Sequence, residues 1–332
     1  LIISSHLFPS SEELDELMAI VNLPLPDQKE LKNLIKQIAI NTNSNLEEQD
    51  LNELSIASSG LSEIKVKQVT AKALAQRGKI SKEDIKDILE EKKQVIARSE
   101  ILEFFEAKSS QDDIGGLNVL KVWLKQRYRA FSKEARDYGL PIPKGVLLVG
   151  AQGTGKSLTA KSISKSWSMP LLRLDVGRLF SSLVGSSEAR TREAILRAEA
   201  MSPCILWIDE IDKGFGGDAR SDGGTSQRVL ASLLTWMAEK ESAVFVIATA
   251  NAIDKLPAEL LRKGRFDEIF FLDLPNSEER LSILDLHLKK RRPSYNFPLT
   301  TIIDRTDGFS SAELEQAVIE VMHISFSENR EL

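Results

Sequence analysis

Two different patterns of apolar positions divide the chain. In its first third, apolar residues recur at helical spacing through three segments: residues 28–40, 62–76 and 82–97. Ser81 and Asp84 form a capping arrangement at the start of the last segment. We therefore predict that residues 12–105 are helical, after an apolar run at residues 1–5 that is typical of a buried strand.

Further along the chain, short apolar runs alternate with helical stretches. Five such runs occur, at residues 145–149, 170–175, 204–208, 243–248 and 268–272. The alternation predicts an α/β fold with a parallel sheet, because parallel strands need crossover connections that are usually helical. A linker of turn-forming residues, 109–113, precedes this region, and a helical tail, residues 278–332, follows it.

Composition and charge agree with a globular protein and exclude several classes. The 332 residues are 42% hydrophobic and 28% charged, which at about 100–200 residues per domain predicts about two or three domains. The net charge of −5 gives no bulk indication of binding to nucleic acid or membranes. Cys204 is the only cysteine, which excludes an intrachain disulfide and fits a reducing compartment. No apolar run reaches about 18 residues, so we predict no membrane-spanning helix and expect a soluble protein.

A glycine-rich loop follows the first of the five apolar runs and precedes a helical stretch. Its pattern is Gly, four residues, Gly, Lys and Ser, and this pattern between a strand and a helix is typical of a phosphate-binding loop. Lys156 is predicted to reach the β- and γ-phosphates of ATP, and the Ser157 hydroxyl to ligate Mg²⁺. The alternative is a glycine-rich turn with a chance Lys-Ser pair. The predicted nucleotide-binding residues are Gly150, Ala151, Gln152, Gly153, Thr154, Gly155, Lys156, Ser157 and Leu158.

Polar side chains end two later apolar runs. Asp209 and Glu210 follow residues 204–208, and Asn251 follows residues 243–248. Parallel strands place such residues together at their carboxyl edge, where α/β sheets bind ligands. Asp209 is predicted to hold Mg²⁺ and Glu210 to activate the attacking water as general base. Asn251 is predicted to position that water or the γ-phosphate, although alone it would be read as a turn residue.

Two arginines, Arg262 and Arg265, lie shortly before the last apolar run. They cannot easily fold back on phosphates beside residues 145–149, so we predict that they stabilise the γ-phosphate in a neighbouring subunit. This role requires an oligomer, and repeated head-to-tail contacts form a ring when the rotation closes. The alternative is a surface ion-pair cluster with Asp267 and Glu268.

The first hundred residues resemble later parts of the chain. Three pairs of segments occur in the same order: residues 1–5 and 246–250, 23–31 and 256–260, and 60–64 and 308–314. Strand–turn–helix segments can look alike by chance. Alternatively, residues 1–105 are the last strand and lid-like helices of a degenerate ATPase-like module whose phosphate-binding half lies before Leu1. Residues 106–277 are then the α/β nucleotide-binding domain, and residues 278–332 a truncated helical lid.

Together these motifs resemble the AAA family of ATPases, over residues 112–332. The resemblance implies a P-loop parallel sheet with a C-terminal helical lid, ATP and Mg²⁺ as cofactors, and a homo-oligomer that forms a hexameric ring in the full-length protein. It also implies that Ile114 and Gly115 pack against adenine, that His287 contacts adenosine, and that Ala312 of the lid adjoins the nucleotide.

Residues 171–180, 203–213 and 260–271 are most similar to a subfamily from algal plastids and cyanobacteria, known as a hypothetical chloroplast reading frame. The resemblance implies a plastid stroma or cyanobacterial cytoplasm and a link to photosynthesis or carbon uptake. Two positions depart from the wider family pattern. Leu183 stands where protein-threading rings carry an aromatic pore residue, and Lys263 replaces a usual proline.

Three functions remain open. The first is ATP-driven remodelling of an unidentified protein or nucleoprotein client. The second is an ATP-switched assembly scaffold with slow hydrolysis, which the missing pore aromatic favours. The third is a nucleic-acid-stimulated ATPase that uses the basic run 289–292, although such a run is more often a solvated helix end.

Overall fold

The computed structural model describes residues 25–97, 101–105, 115–180, 186–215 and 224–332. The strand predicted at residues 1–5 and the first half of the early repeat lie outside these ranges, as do Ile114 and Leu183.

Four helices form the N-terminal part of the described chain: α1 (Gln28–Asn41), α2 (Glu48–Ser58), α3 (Glu63–Arg77) and α4 (Ile85–Ala97). The predicted helical segments are therefore confirmed here. The Ser81–Asp84 capping arrangement is also present, with the Ser81 N–H donating to Asp84 Oδ2 at 2.9 Å, and it opens a short 3₁₀ turn before α4. The helices bury a shared apolar core, which includes Leu31, Ile35, Leu54, Leu61, Val66 and Ile88.

A six-stranded sheet forms the centre of the molecule. Its strands are β1 (Leu102–Phe105), β2 (Gly145–Gly150), β3 (Leu171–Leu174), β4 (Cys204–Ile208), β5 (Val244–Ala250) and β6 (Glu268–Leu272). The order across the sheet is β1-β3-β4-β5-β2-β6, and every neighbouring pair is parallel except β1 with β3. The five strands predicted from apolar runs are confirmed, and with them the α/β fold class.

The first strand corrects the helical prediction for residues 12–105. Residues 102–105 pair with β3 in antiparallel fashion, with Leu102 opposite Leu174, and Leu102 is buried. The edge of the parallel sheet offers this four-residue segment backbone partners and an apolar surface, and such tertiary contacts override helical periodicity in a short run.

Helices cover both faces of the sheet. On one face lie α9 (Ser186–Ala200) and α11 (Thr225–Glu239), and on the other α5 (Asn118–Arg129) and α7 (Lys156–Trp167). The remaining helices of this region are α6 (Lys133–Asp137), α8 (Val176–Phe180) and α10 (Ile211–Phe215). Burial on both faces explains why the central strands read as continuous apolar runs rather than alternating ones.

The chain ends in two longer helices, α12 (Ser277–Arg291) and α13 (Ser311–Ser327), joined by 3₁₀ turns at Leu299–Thr301 and Ile303–Thr306. Each helix begins with a capping box, formed by Asn276 with Glu279 and by Ser310 with Glu313. Their core is separate from that of the sheet and includes Ile283, Leu284, Leu288, Leu314 and Val318. The predicted helical tail is thus confirmed.

The N-terminal helices pack directly on the sheet region. Ile96 of α4 and Ile101 belong to the same apolar cluster as β4 and α9. Gly60, between α2 and α3, lies so close to α9 that a Cβ there would be 2.5 Å from Met201 Sδ. None of the helices within the described ranges combines the length and apolar content needed to cross a membrane.

Candidate nucleotide-binding site

The glycine-rich loop connects the carboxyl end of β2 to the start of α7. Gly153 and Gly155 have φ angles of +80° and +90°, a left-handed conformation that favours glycine. A Cβ on Gly153 would lie 2.7 Å from Ser310 Oγ, and the Ala312 N–H donates to Gly153 O at 3.0 Å. The loop is therefore closed against α13, and Ala312 adjoins the loop, while its contact with the nucleotide stays a prediction.

Lys156 is the first residue of α7 and is folded back into the loop. Its Nζ donates to Gly150 O at 2.7 Å and to Ala151 O at 2.6 Å, and only 7% of the residue is exposed. Burial lowers the pKa of Lys156 below its usual value. The loop thus holds an ammonium group among carbonyl oxygens at a helix N-terminus, which is an arrangement suited to phosphate oxygens.

Asp209, at the end of β4, lies beside the start of α7. Its Oδ1 accepts hydrogen bonds from Ser157 Oγ at 3.3 Å and from Thr249 Oγ1 at 2.7 Å. The structure thus brings the two predicted Mg²⁺ ligands together, and both offer the hard oxygen atoms that Mg²⁺ prefers. Thr249 was not assigned a role from the sequence, although a hydroxyl in the otherwise apolar strand β5 was an available signal.

Glu210 and Asn251 also meet at this edge. Asn251 Nδ2 donates to Glu210 Oε1 at 3.2 Å, and the Glu210 N–H donates to Thr249 Oγ1 at 2.9 Å. Glu210 has a φ of +49°, a conformation that is uncommon outside glycine and that clusters at functional sites. The predicted base and sensor are therefore neighbours, and Thr249 links the base to Asp209.

Lys213, which the sequence analysis did not single out, binds the predicted base. Its Nζ donates to Glu210 Oε2 at 2.7 Å from the next turn of the chain. This hydrogen bond is the main cause that lowers the pKa of Glu210, with the amide of Asn251 contributing. A basic residue three positions after a catalytic carboxylate is a signal that sequence inspection could have used.

Replacing Lys213 by methionine should raise the pKa of Glu210, because the lysine that favours the carboxylate is lost. The predicted role of Glu210 as a base requires the ionised carboxylate, so we expect the loss of activity on acidification to begin at a higher pH in this variant. In a plot of turnover against pH, the acid limb would then shift to higher pH, with little change in turnover near neutral pH. Lys165→Met on α7 is the matched control, and an unmoved acid limb in Lys213→Met would contradict the coupling.

On the side predicted for adenine, the described residues bring the start of the α/β domain against the lid. A Cβ on Gly115 would lie 2.5 Å from Ile283 Cγ1, and the Leu117 N–H donates to Glu279 Oε1 at 3.3 Å. Gly115 thus contacts α12, which also carries His287 one turn later. Ile114, its predicted partner in binding adenine, lies outside the described residues.

His287 belongs to a polar cluster within the lid. Its Nδ1 lies 3.2 Å from Arg291 Nη1 and 3.3 Å from Glu315 Oε1, and Arg291 Nη2 binds the same carboxylate oxygen at 2.7 Å. The ring is mostly buried. The cluster joins α12 to α13, so it orients the His287 ring while its contact with adenosine stays a prediction.

Arg262 and Arg265 lie away from the loop of their own chain. The adjoining Asp267 accepts hydrogen bonds from the N–H groups of Lys144 and Gly145, at 2.8 and 3.0 Å, which marks the start of β2. The phosphate loop follows the other end of β2, about 17 Å away at about 3.3 Å per residue. Both arginines are therefore placed at the opposite edge of the sheet from their own loop.

The alternative prediction for these arginines, an ion-pair cluster with Asp267 and Glu268, is not what the structure shows. Asp267 binds backbone N–H groups, and Glu268 accepts from its own neighbour Ile269 at 3.3 Å. Arg262 is exposed, and Arg265 Nε is buried without a hydrogen-bond partner among the described residues. The acids at this site are thus already engaged by other groups.

The basic run 289–292 ends α12, where its charges meet acidic partners. Lys289 pairs with Asp285 at 2.8 Å, Arg291 with Glu315 at 2.7 Å, and Arg292 with Glu331 at 3.7 Å. Cations at a helix C-terminus also interact favourably with the helix dipole. The arrangement favours a solvated helix end over a nucleic-acid contact.

A parallel sheet with a phosphate loop after one strand and paired carboxylates after another defines a P-loop nucleotide-binding protein. Comparison with known protein families supports this class. Residues 146–274 match the ATPase family associated with various cellular activities (AAA), and residues 29–99 match the second domain of SpoVK-like AAA ATPases.

Similar proteins place the chain more narrowly. It is 52% identical over 321 residues to the "uncharacterized AAA domain-containing protein ycf46" of Guillardia theta, which covers 96% of this chain and 63% of that protein. A protein of the same name from Gracilaria tenuistipitata var. liui is 48% identical over 336 residues, 100% of this chain and 68% of its own. The ATP-dependent zinc metalloprotease FtsH of Cyanidium caldarium is 40% identical over 211 residues, 61% and 34% of the two chains.

The chain belongs to the AAA family of ATPases. It spans about two thirds of the length of its ycf46 relatives, between 63% and 68% for the two described.

Proposed function

We propose that this chain binds Mg²⁺–ATP and hydrolyses it within a homo-oligomer, and that hydrolysis remodels a protein or nucleoprotein client. One observation carries the proposal. The phosphate loop, the Ser157–Asp209 pair and the Glu210–Asn251 pair meet at one edge of the sheet, while two arginines lie at the opposite edge.

Each residue contributes a distinct step. Lys156 exchanges its two carbonyl partners for phosphate oxygens when nucleotide enters the loop. Ser157 and Asp209 hold Mg²⁺, which when bound neutralises charge on the phosphates. Glu210 accepts the proton of the attacking water, and the Asn251 amide, already bonded to Glu210, positions that water.

The arginines act on a neighbouring subunit in this proposal. Their distance from their own loop excludes a direct contact with their own nucleotide, and the exposure of Arg262 leaves it accessible to a second copy. A neighbour that presents its phosphate loop to this face gains positive charge where negative charge develops in the transition state. Repetition of such a contact gives a closed ring, for which six subunits are the proposed number.

Residues 1–105 are proposed to belong to a degenerate ATPase-like module that does not hydrolyse nucleotide. The match of residues 29–99 to a second domain of AAA ATPases supports this assignment. The four helices have a core of their own, α4 packs against the sheet region, and β1 joins the sheet as its edge strand. They are therefore suited to receive or transmit the movements that follow hydrolysis.

An ATP-switched scaffold is the second candidate. The shared apolar cluster between α4 and the sheet region favours it, because a firmly packed N-terminal part is a fixed platform for partners. Stimulation by nucleic acid is less favoured, since Lys289, Arg291 and Arg292 pair with acids of the chain. The algal relatives support a location in the plastid stroma. The proposal keeps a cyanobacterial cytoplasm as the alternative location, and it includes a link to photosynthesis or carbon uptake.

Nucleotide binding tests the foundation of the proposal. Lys156→Ala should weaken the affinity for a fluorescent ATP analogue by about 100-fold or more, because charge-assisted hydrogen bonds contribute about 1.5–3 kcal/mol each. The measurement is a fluorescence titration with Mg²⁺ present. Lys165→Ala, an exposed lysine on the same helix, should bind like the wild type. Equal affinity in Lys156→Ala would refute the assignment of the loop.

A further inference from the structure

A line of alternating charges runs across the sheet from its edge to Asp209. Glu103 of β1 lies directly opposite Arg173 of β3, and Arg173 lies opposite Trp207 of β4. Arg173 Nη1 is 3.6 Å from Glu103 Oε2, and its Nη2 is 3.6 Å from Asp209 Oδ2. One guanidinium group is therefore shared between the edge strand and the predicted Mg²⁺ ligand.

Further contacts hold Arg173 and Glu103 in place. The Arg173 guanidinium lies over the Trp207 ring, with Cζ 5.3 Å from the ring centroid. Glu103 Oε1 also lies 3.3 Å from Arg178 Nη2, so this carboxylate attracts two guanidinium groups. The contact with the ring supports the guanidinium group between its two carboxylates.

The Arg173 guanidinium affects the electrostatic potential at Asp209 more than it affects the orientation of the Asp209 carboxylate. Thr249 and Ser157 already hold the other oxygen, Oδ1, at 2.7 and 3.3 Å. A guanidinium beside Oδ2 offsets part of the negative charge that would attract a divalent cation. Arg173 and Mg²⁺ thus compete for the same carboxylate, and Glu103 competes with Asp209 for Arg173.

We propose that Arg173 is a positioning residue that sets the Mg²⁺ affinity of Asp209, and that Glu103 adjusts it by drawing the guanidinium toward the edge strand. The proposal rests on the proposed function, in which Asp209 holds the metal. Because β1 follows α4 in the chain, a shift of the N-terminal helices moves Glu103. Such a shift leaves Arg173 on Asp209 and weakens metal binding, which gives these helices control over the ATPase site.

The test measures the Mn²⁺ affinity of the complete 332-residue chain at saturating non-hydrolysable ATP analogue, with free Mn²⁺ followed by electron paramagnetic resonance. Arg173→Met, which retains an apolar stem over Trp207, should tighten Mn²⁺ binding about 3- to 10-fold, as expected for loss of one partly screened charge. Glu103→Gln should weaken it by a similar factor. When Arg173→Met is already present, adding Glu103→Gln should not change the Mn²⁺ affinity further. The Arg173→Lys variant, which keeps the positive charge, should bind Mn²⁺ like the wild type.

The outcomes separate this inference from the function on which it rests. Asp209→Asn should weaken Mn²⁺ binding more than any other variant, and failure of that result would overturn the proposed function itself. If Asp209→Asn behaves as expected but Glu103→Gln has no effect, or has the same effect with and without Arg173, the coupling is wrong. Arg197→Met, whose partner is Glu193, is the matched control for loss of an arginine, and thermal melting identifies any variant that does not fold.

Discussion

Replacing Arg265 by alanine should lower ATP turnover by about 10³-fold or more and leave nucleotide affinity almost unchanged. The reason is geometric. Asp267 ties the arginine-bearing segment to the start of β2, whereas the phosphate loop follows its end, so we expect Arg265 to act on another subunit. The Arg265 Nε is a buried donor without a hydrogen-bond partner among the described residues.

A mixing experiment distinguishes action between subunits from a local structural role. Arg265→Ala retains a complete phosphate loop, and Lys156→Ala retains the arginines, so a mixture of the two contains complete sites only if subunits share them. We expect the mixture to regain turnover that neither variant shows alone. Turnover per chain of the wild type should also rise with protein concentration. Arg292→Ala is the control, and turnover that is independent of both concentration and Arg265 would contradict the shared site.

Glu210→Gln should lower turnover by about 10²–10⁴-fold, the usual contribution of a general base, while the affinity for ATP is retained. Glutamine keeps one oxygen that can accept the hydrogen bond from Asn251, and loses only the contact of Lys213 with the other oxygen. It cannot accept a proton from water. In the proposed site the phosphates contact Lys156 and the loop rather than this side chain, so we expect nucleotide binding to survive.

The measurement for Glu210→Gln pairs steady-state phosphate release with titration of a fluorescent ATP analogue. Glu239→Gln, an exposed carboxylate at the end of α11, is the matched control and should behave like the wild type. Turnover in Glu210→Gln within a few fold of the wild type would show that another group activates the water. Loss of binding together with turnover would instead show that the substitution disturbs the loop.

β4 could be predicted from its local sequence pattern, whereas β1 could not. β4 is a five-residue apolar run buried on both faces, and its sequence alone predicted it. β1 contains a charged residue among apolar ones and follows a long helical segment, so its sequence favoured continuation of the helix. Its strand conformation depends on the exposed edge of β3, which is close in space and distant in sequence.

The site shows the same division. The loop, Asp209, Glu210 and Asn251 were predicted because strand ends of a parallel sheet converge at one edge, and their spacing along the chain carries that information. The residues that form hydrogen bonds or ion pairs with them were not predicted. Thr249, Lys213 and Arg173 touch these residues through side-chain contacts, which the position of a residue in the sequence does not reveal.

The sequence by itself determined the α/β class, the glycine-rich loop predicted to bind phosphate and the carboxylates predicted to accompany it, because periodicity and motif spacing are local properties of the chain. Only the tertiary structure decided that β1 joins the sheet, that the arginines lie at the edge away from their own loop, and that Glu103 and Arg173 reach Asp209. These features depend on strand order and register, which arise from packing between segments far apart in the chain.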